Sequence, residues 1–391
     1  MSDCRVVIVH DYVTQRGGAE RVTLDLLRAF PGARLVTACY NPETTFPEFA
    51  DYDVETLWIG GVAALRRDPR RAFLFLARAF AEHRIDDADV VICSSSGWAH
   101  RVQTSAPKIV YCHNPARWLY QPDDYLAGVP AWLRKSFVNC TKGLRGTDAV
   151  AAHSAAQYLV NSAAVAGRVH SSYGIDSRIV APARGLTPDG PMQAVPGVEP
   201  GFLLTVGRAR GYKHTDAVVD AVASMPGERL VVVGGSPTRQ WPEGVTGLER
   251  LSDAQMRWLY ANAGALVAVA NEDFGLTPVE AQAFGLPTIA LRAGGYLDSC
   301  VEDLTAVFVD LPTSARIADG IRDLRSRTWD TAAIKQCGER YSVQAFAARV
   351  HTIVDEVRGS VRVTDPAAQA VRSERLVAPT APTRRLQTQP A

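Results

Sequence analysis

The chain has 391 residues, 42 of them basic and 41 acidic, for a net charge of +1. That length divides into two domains, and the balanced charge excludes a dedicated nucleic-acid binder, which carries a clear basic excess. No run approaches the roughly 18 apolar residues of a membrane span, and the seven cysteines, odd in number and without CxxC spacing, read as reduced buried thiols.

The N-terminus enters an apolar strand at 5–9 without a signal-peptide pattern, so a cytoplasmic location is expected. Further strands are expected at 34–39, 88–93, 107–112 and 148–152, with amphipathic helices at 19–30 and 69–84. The stretch 183–201 holds Pro188, Pro191, Pro196 and Pro200 and reads as a linker or long surface loop. After it, strands are expected at 202–206, 229–233, 265–270, 287–291 and 306–309. Helices are expected at 214–224, 253–262, 277–284, 314–326 and 343–357. Residues 361–391 are rich in Pro, Ala, Thr, Gln and Arg and read as a disordered tail.

Val/Ile/Leu runs alternating with helices predict parallel sheets covered on both faces. The expected architecture is therefore α/β, with two doubly wound Rossmann-like domains, residues 1–182 and 183–342. Ligands of such sheets bind at the carboxyl ends of the strands, here in the cleft between the domains. A terminal segment, 343–360, forms the last helix.

Neither the dinucleotide fingerprint GxGxxG nor the P-loop GxxxxGK[ST] is present, which sets aside nicotinamide dehydrogenases and P-loop kinases. Phosphate-type features remain. Gly17-Gly18 lies between the first strand and a helix, where close backbone approach and free amides favour an anion; it is also a plain turn. The strand at 202–206 runs into Gly207-Arg208-Ala209-Arg210-Gly211-Tyr212-Lys213, placing cations near a helix start. Lys213 stands out because the chain holds five lysines against thirty-seven arginines. The most informative segment is Asn271-Glu272-Asp273-Phe274-Gly275-Leu276-Thr277-Pro278-Val279-Glu280. A turn at 274–276, Thr277 as N-cap and Pro278 as first helical residue are expected. Glu272 and Glu280 would then converge around free helix-end amides, an arrangement that suits a sugar nucleotide.

With Gly17-Gly18-Ala19-Glu20, Gly207-Arg208 with Lys213, and the Glu272-to-Glu280 element, the chain resembles glycosyltransferase family 4 over residues 5–357. These are retaining enzymes of the GT-B fold. His10-Asp11-Tyr12 and Tyr111-Cys112-His113-Asn114-Pro115-Ala116-Arg117-Trp118 are similar to a bacterial subgroup that includes polysaccharide mannosyltransferases. The resemblance implies a metal-independent transferase without cofactor, most simply moving mannose from GDP-mannose to a glycan or lipid-linked acceptor. It implies that Gly17 and Gly18 back the donor phosphate, and that Arg208 and Lys213 neutralise the diphosphate. Glu280 would bind the ribose and Leu251 would border the base. Glu272 and the amides of Phe274, Gly275 and Leu276 would hold the sugar and distal phosphate, with His113 beside the transferred sugar. It also implies that the terminal helix packs back on the first domain. A GT-B epimerase or phosphorylase, or a non-catalytic binder of the same fold, stays open as an alternative. Arg66, Arg67, Arg70, Arg71 and Arg78 among Phe73, Phe75 and Phe80, and Trp132-Leu133-Arg134-Lys135-Ser136-Phe137, fit either an anionic membrane surface or ordinary core packing.

Overall fold

The computed structural model describes residues 4–62, 73–126, 129–207 and 213–364. The first half carries β1 (Val6–His10), β2 (Arg34–Thr37), β3 (Val54–Thr56), β4 (Arg84–Ile85), β5 (Val90–Ser95), β6 (Gln103–Thr104), β7 (Lys108–Cys112), β8 (Gln157–Val160) and β9 (Arg178–Ile179). β4 and β6 pair with each other, and the rest form one parallel sheet in the order β3-β2-β1-β5-β7-β8-β9. The second half carries β10 (Leu203–Val206), β11 (Leu230–Val233), β12 (Val245–Leu248), β13 (Ala265–Ala268), β14 (Thr288–Leu291) and β15 (Ala306–Val309). They form a second parallel sheet, β12-β11-β10-β13-β14-β15.

Burial on both faces explains why these strands read as continuous apolar runs. Val7, Val9, Val91 and Val110 face one core with the helix Phe73–Glu82. Val6, Ile8, Ile92 and Ile109 face the other, under the helix Gly18–Ala29. The alternation follows the two-residue period of a strand. Each sheet reverses its winding once, between β1 and β5 in the first and between β10 and β13 in the second. A crevice opens at the carboxyl ends of such a pair, so the two reversals fix where ligand contacts arise.

Three expectations change. The strand expected at 148–152 is part of the helix Ala131–His153, and the strand lies later, at β8. Asp148-Ala149-Val150-Ala151-Ala152 is alanine-rich, and its one β-branched residue, Val150, is 73% exposed, so helix propensity governs the segment. Second, residues 183–201 contain no helix or strand and are mostly exposed from Asp189 on, as expected of a linker or surface loop, yet the segment is anchored inward. Leu186 and Val195 enter the core of the second domain, and Arg184 bonds Gly338 O and Glu339. Third, the terminal helix runs Val343–Thr364, past the expected end. Phe346, Val350, Ile353, Val354 and Val357 bury against the first domain, and His351 Nε2 lies 2.6 Å from Ala29 O. The expected tail beyond Thr364 lies outside the described residues.

Candidate functional site

Both reversal points carry the residues that matter. At the second, Lys213 follows β10 and Glu272 follows β13, and the two side chains form an ion pair. The lysine stem lies along Gly207, where an added Cβ would stand 3.2 Å from Lys213 Cδ. Arg208, expected beside it, lies outside the described residues.

After Glu272 the chain turns through Gly275, which sits at φ 84°, into the helix Leu276–Phe284. The helix thus starts before the expected Thr277 cap. Gly275 is the N-cap, and Pro278 occupies the third helical position, where its missing N–H costs no intrahelical bond. Among the described residues, the amides of Phe274, Gly275 and Leu276 find no protein acceptor. The Phe274 ring is buried with Val279 and Tyr341, so this residue offers its backbone rather than its side chain. Gly294 and Gly295 close against the turn, and the Gly295 amide donates to Glu272 O at 2.9 Å. A side chain at either glycine would strike the Glu272–Phe274 backbone, a need that the Gly-Gly pair shortly after β14 signals in the sequence.

Glu280 accepts from Tyr260 Oη at 2.8 Å and from the Gly185 amide. Burial is the main influence and pushes its pKa up to about 7. The folded value thus lies above the unfolded 4.5, and the folded state holds more protons in between. This group's contribution to stability therefore falls as pH rises from about 4.5 to 7. If Glu280 accepts ribose hydroxyls, affinity for a nucleotide sugar should strengthen from pH 6 to 8 as the carboxylate ionises. Titration by calorimetry checks this: Glu280→Gln is expected to flatten the dependence, and an unchanged slope would remove Glu280 from the donor site. Leu251 precedes Ser252, which caps the helix Asp253–Asn262, and packs against the second core.

In the first domain, Gly17 is the N-cap and Gly18 the first residue of its helix. A Cβ on Gly18 would stand 3.4 Å from Leu276 Cδ1, so the glycine turn faces the Gly275–Leu276 helix start across the cleft. His113 follows β7 and is buried against Ser94, the register partner of His10. Burial, then the neighbouring His10, lowers its pKa to about 3, so the ring stays neutral at physiological pH.

Sequence reasoning missed the contacts that join the domains. Arg117 and Arg168, both from the first domain, converge on the Asp273 carboxylate, and Ser162 Oγ donates to Asp273 O. Arg168 also donates to Asn114 Oδ1 at 2.6 Å, and the Ala163 amide donates to Asp298 at 3.1 Å. His113 is therefore one residue and one guanidinium away from the neighbour of Glu272. A second missed feature is the chain Ser95–His100–Asp148, with contacts of 3.0 Å at each step. It has the order of a hydrolytic triad, but all three side chains are nearly inaccessible. Tyr120 and Tyr173 also bond Asp148 at 2.9 Å, so the cluster anchors the Arg117–Tyr120 turn from below.

On the outer surface, Trp132, Leu133 and Phe75 are exposed, whereas Phe80 is core and Arg78 pairs with Glu82. Arg66, Arg67, Arg70 and Arg71 lie outside the described residues. Among the described residues, no helix is long and apolar enough to cross a membrane, and no group of three or more His, Cys, Asp or Glu is placed to hold a metal.

Comparison with known proteins follows the same division. A model described as Glycosyl transferases group 1 matches residues 193–340, and one described as Glycosyltransferase Family 4 matches residues 16–186. The human alpha-1,3/1,6-mannosyltransferase ALG2 is 25% identical over 87% of this chain and 93% of its own length. The D-inositol 3-phosphate glycosyltransferase of Xylanimonas cellulosilytica is 35% identical, over 29% of this chain and 31% of its own length. Among solved structures, sucrose-phosphate synthase from Thermosynechococcus elongatus superposes with a TM-score of 0.65 at 18% identity, covering 91% of this chain and all of that one. Anabaena Alr3699/HepE in complex with UDP gives 0.64 at 16% identity, covering 90% of this chain and all of that one. These two likenesses concern the fold.

Proposed function

The chain belongs to the group 1, family 4 glycosyltransferases and has the GT-B fold, and we propose that it moves mannose from GDP-mannose to a glycan or lipid-linked acceptor. As a member it is a hexosyltransferase; mannose, guanine, retention of configuration and independence from metal are our reading. The observation that carries it is the meeting of Lys213, Glu272 and the Phe274–Leu276 amides, which find no acceptor among the described residues, opposite Gly18. The likeness to a mannosyltransferase over nearly its whole length supports the sugar.

The chemistry follows from charge. Breaking a glycosyl–phosphate bond loads negative charge on the leaving diphosphate. A cation and preorganised amides stabilise that charge most where it develops, in the transition state. In the free protein Lys213 and Glu272 neutralise each other. An arriving diphosphate competes for the lysine and releases the carboxylate to accept hydroxyls of the sugar. The leaving phosphate itself takes the acceptor proton, consistent with retention.

A thermal-shift panel with GDP, UDP and their mannose and glucose conjugates tests the donor, because a ligand of the native state raises the midpoint. GDP and GDP-mannose are expected to stabilise equally with and without EDTA. Loss of the shift in EDTA would overturn the metal-free phosphate site, and stabilisation by UDP alone would overturn the base. Turnover of donor only when acceptor is present separates a transferase from an epimerase or phosphorylase.

A lipid-linked acceptor places the enzyme at the inner face of a membrane, and exposed Trp132, Leu133 and Phe75 support that. Each basic side chain near an anionic surface contributes about 1 kcal/mol and is screened by salt. Sedimentation with anionic vesicles is expected at low salt and not at high salt. Binding that survives Trp132→Ser/Leu133→Ser combined with Arg66/Arg67/Arg70/Arg71→Ser would dismiss this surface.

A further inference from the structure

The hydrogen bonds around Ser94 can be assigned by elimination. Thr23 Oγ1 lies 2.9 Å from Ala19 O, a carbonyl that only accepts, so the single Thr23 proton points there. Ser94 Oγ lies 2.9 Å from Thr23 Oγ1, and Ser94 is therefore the donor in that pair. His10 Nδ1 lies 2.9 Å from Ser94 O and 3.1 Å from Ser94 Oγ, and the carbonyl requires that Nδ1 carry its proton. With the Ser94 proton committed to Thr23, the 2.8 Å contact to His113 Nε2 needs a proton on the ring. Ser94 Oγ then donates once and accepts twice, the full capacity of a hydroxyl.

We propose that Thr23 and Ser94 are positioning residues that hold His113 as its Nε2–H tautomer and thereby make Nδ1 the acceptor offered to a hydroxyl of the donor sugar. The assignment of the sugar rests on the transferase reading above; the tautomer does not. Three observations favour a built device. Thr23 and Ser94 are fully inaccessible and His10 nearly so, so water does not readily replace a member of the chain. Among the described residues, His113 Nδ1 makes no hydrogen bond, while Tyr111 packs against the ring at 5.2 Å. Thr23 also belongs to the helix that begins at Gly18, so the element facing the donor helix sets the imidazole as well. Because burial keeps the ring neutral, the tautomer is the state left to control.

The test uses the full chain labelled with ring-15N histidine, its long-range proton–nitrogen correlations read in solution, and His113 assigned by its disappearance in His113→Gln. The wild type is expected to show a protonated Nε2 and a bare Nδ1 at His113. Thr23→Val keeps the side-chain shape but removes the hydroxyl. Ser94 can then turn its proton toward Nε2, and the pattern should shift toward the Nδ1–H form, while Thr23→Ser restores it. In transfer assays Thr23→Val should lower kcat about five- to tenfold with donor KM within about twofold, and Thr23→Ser should stay within about twofold of wild type. A wild-type His113 in the Nδ1–H form overturns the proposal. So does an unchanged pattern in Thr23→Val, or a Thr23→Ser that fails as badly. If the tautomer moves while kcat does not, and His113→Gln is inactive, the positioning role falls and the transferase reading stands. If the wild type transfers no sugar, that reading falls, and the spectra still decide the hydroxyl chain.

Discussion

Lys213→Ala should lower kcat for sugar transfer by about 10²–10³, the usual cost of removing one preorganised stabiliser of transition-state charge. The size follows from its place. Lys213 stands at the reversal between β10 and β13, its stem laid along Gly207 and its ammonium on Glu272. The leaving diphosphate would form beside it, and Arg208 is close by in sequence. Glu272→Ala removes the partner instead. It should slow transfer by roughly ten- to a hundredfold through lost contacts to sugar hydroxyls, with donor affinity less affected because Lys213 stays in place for the diphosphate. Glu280→Ala should act mainly on donor KM. Steady-state kinetics of the three variants, alongside thermal midpoints, read the contrast. If Lys213→Ala and Glu272→Ala both keep kcat within about threefold of wild type while folded, the leaving group departs elsewhere.

Much of this site could be read from the sequence because its signals are local. Glu272 and Glu280 flank one turn, and Gly275 with Pro278 marks a helix start whatever packs around it. Lys213 stands out as one of only five lysines, shortly after an apolar strand. The sheet assignment was legible for the same reason, since Val-Val-Ile-Val at β1 and Leu-Val-Val-Val at β11 admit few other readings. What escaped was long-range pairing. Arg117 and Arg168 reach Asp273 from 156 and 105 residues away, and nothing near either arginine names its partner. The chain has 37 arginines, so residue type alone singles out neither of these two. The same holds for Thr23, an ordinary helix residue until the fold sets it 2.9 Å from Ser94. Short edge strands escaped for another reason. At β3, β9 and β12, two to four residues hold too little pattern, and neighbouring strands rather than propensity define them. Asp148-Ala149-Val150-Ala151-Ala152 failed in the opposite direction, an apolar run too short to separate strand from helix by pattern.

Phe346→Ala should destabilise the first domain by about 3–5 kcal/mol, the range for emptying a buried aromatic site. For a domain of this size that corresponds to a fall of roughly 10 °C in its unfolding midpoint. Phe346 is fully buried although it comes from the far end of the chain. It meets Tyr111 edge-to-face at 6.1 Å, and Tyr111 in turn packs on His113 and bonds Val180 O at 2.7 Å. The terminal helix therefore finishes the core under the site histidine, so the variant should lose transfer activity as well as stability. Truncation after Gly359 makes the informative contrast. Among the residues of the helix whose burial is described, Val357 is the last buried one, and Arg358, Gly359 and Ser360 are partly or fully exposed. That truncation should leave the midpoint and the activity of the soluble assay unchanged. Calorimetry of the two variants separates the possibilities. A Phe346→Ala midpoint within about 2 °C of wild type would show that the helix merely rests on the domain. A truncated chain that melts clearly lower would show that residues past Gly359 carry part of the docking.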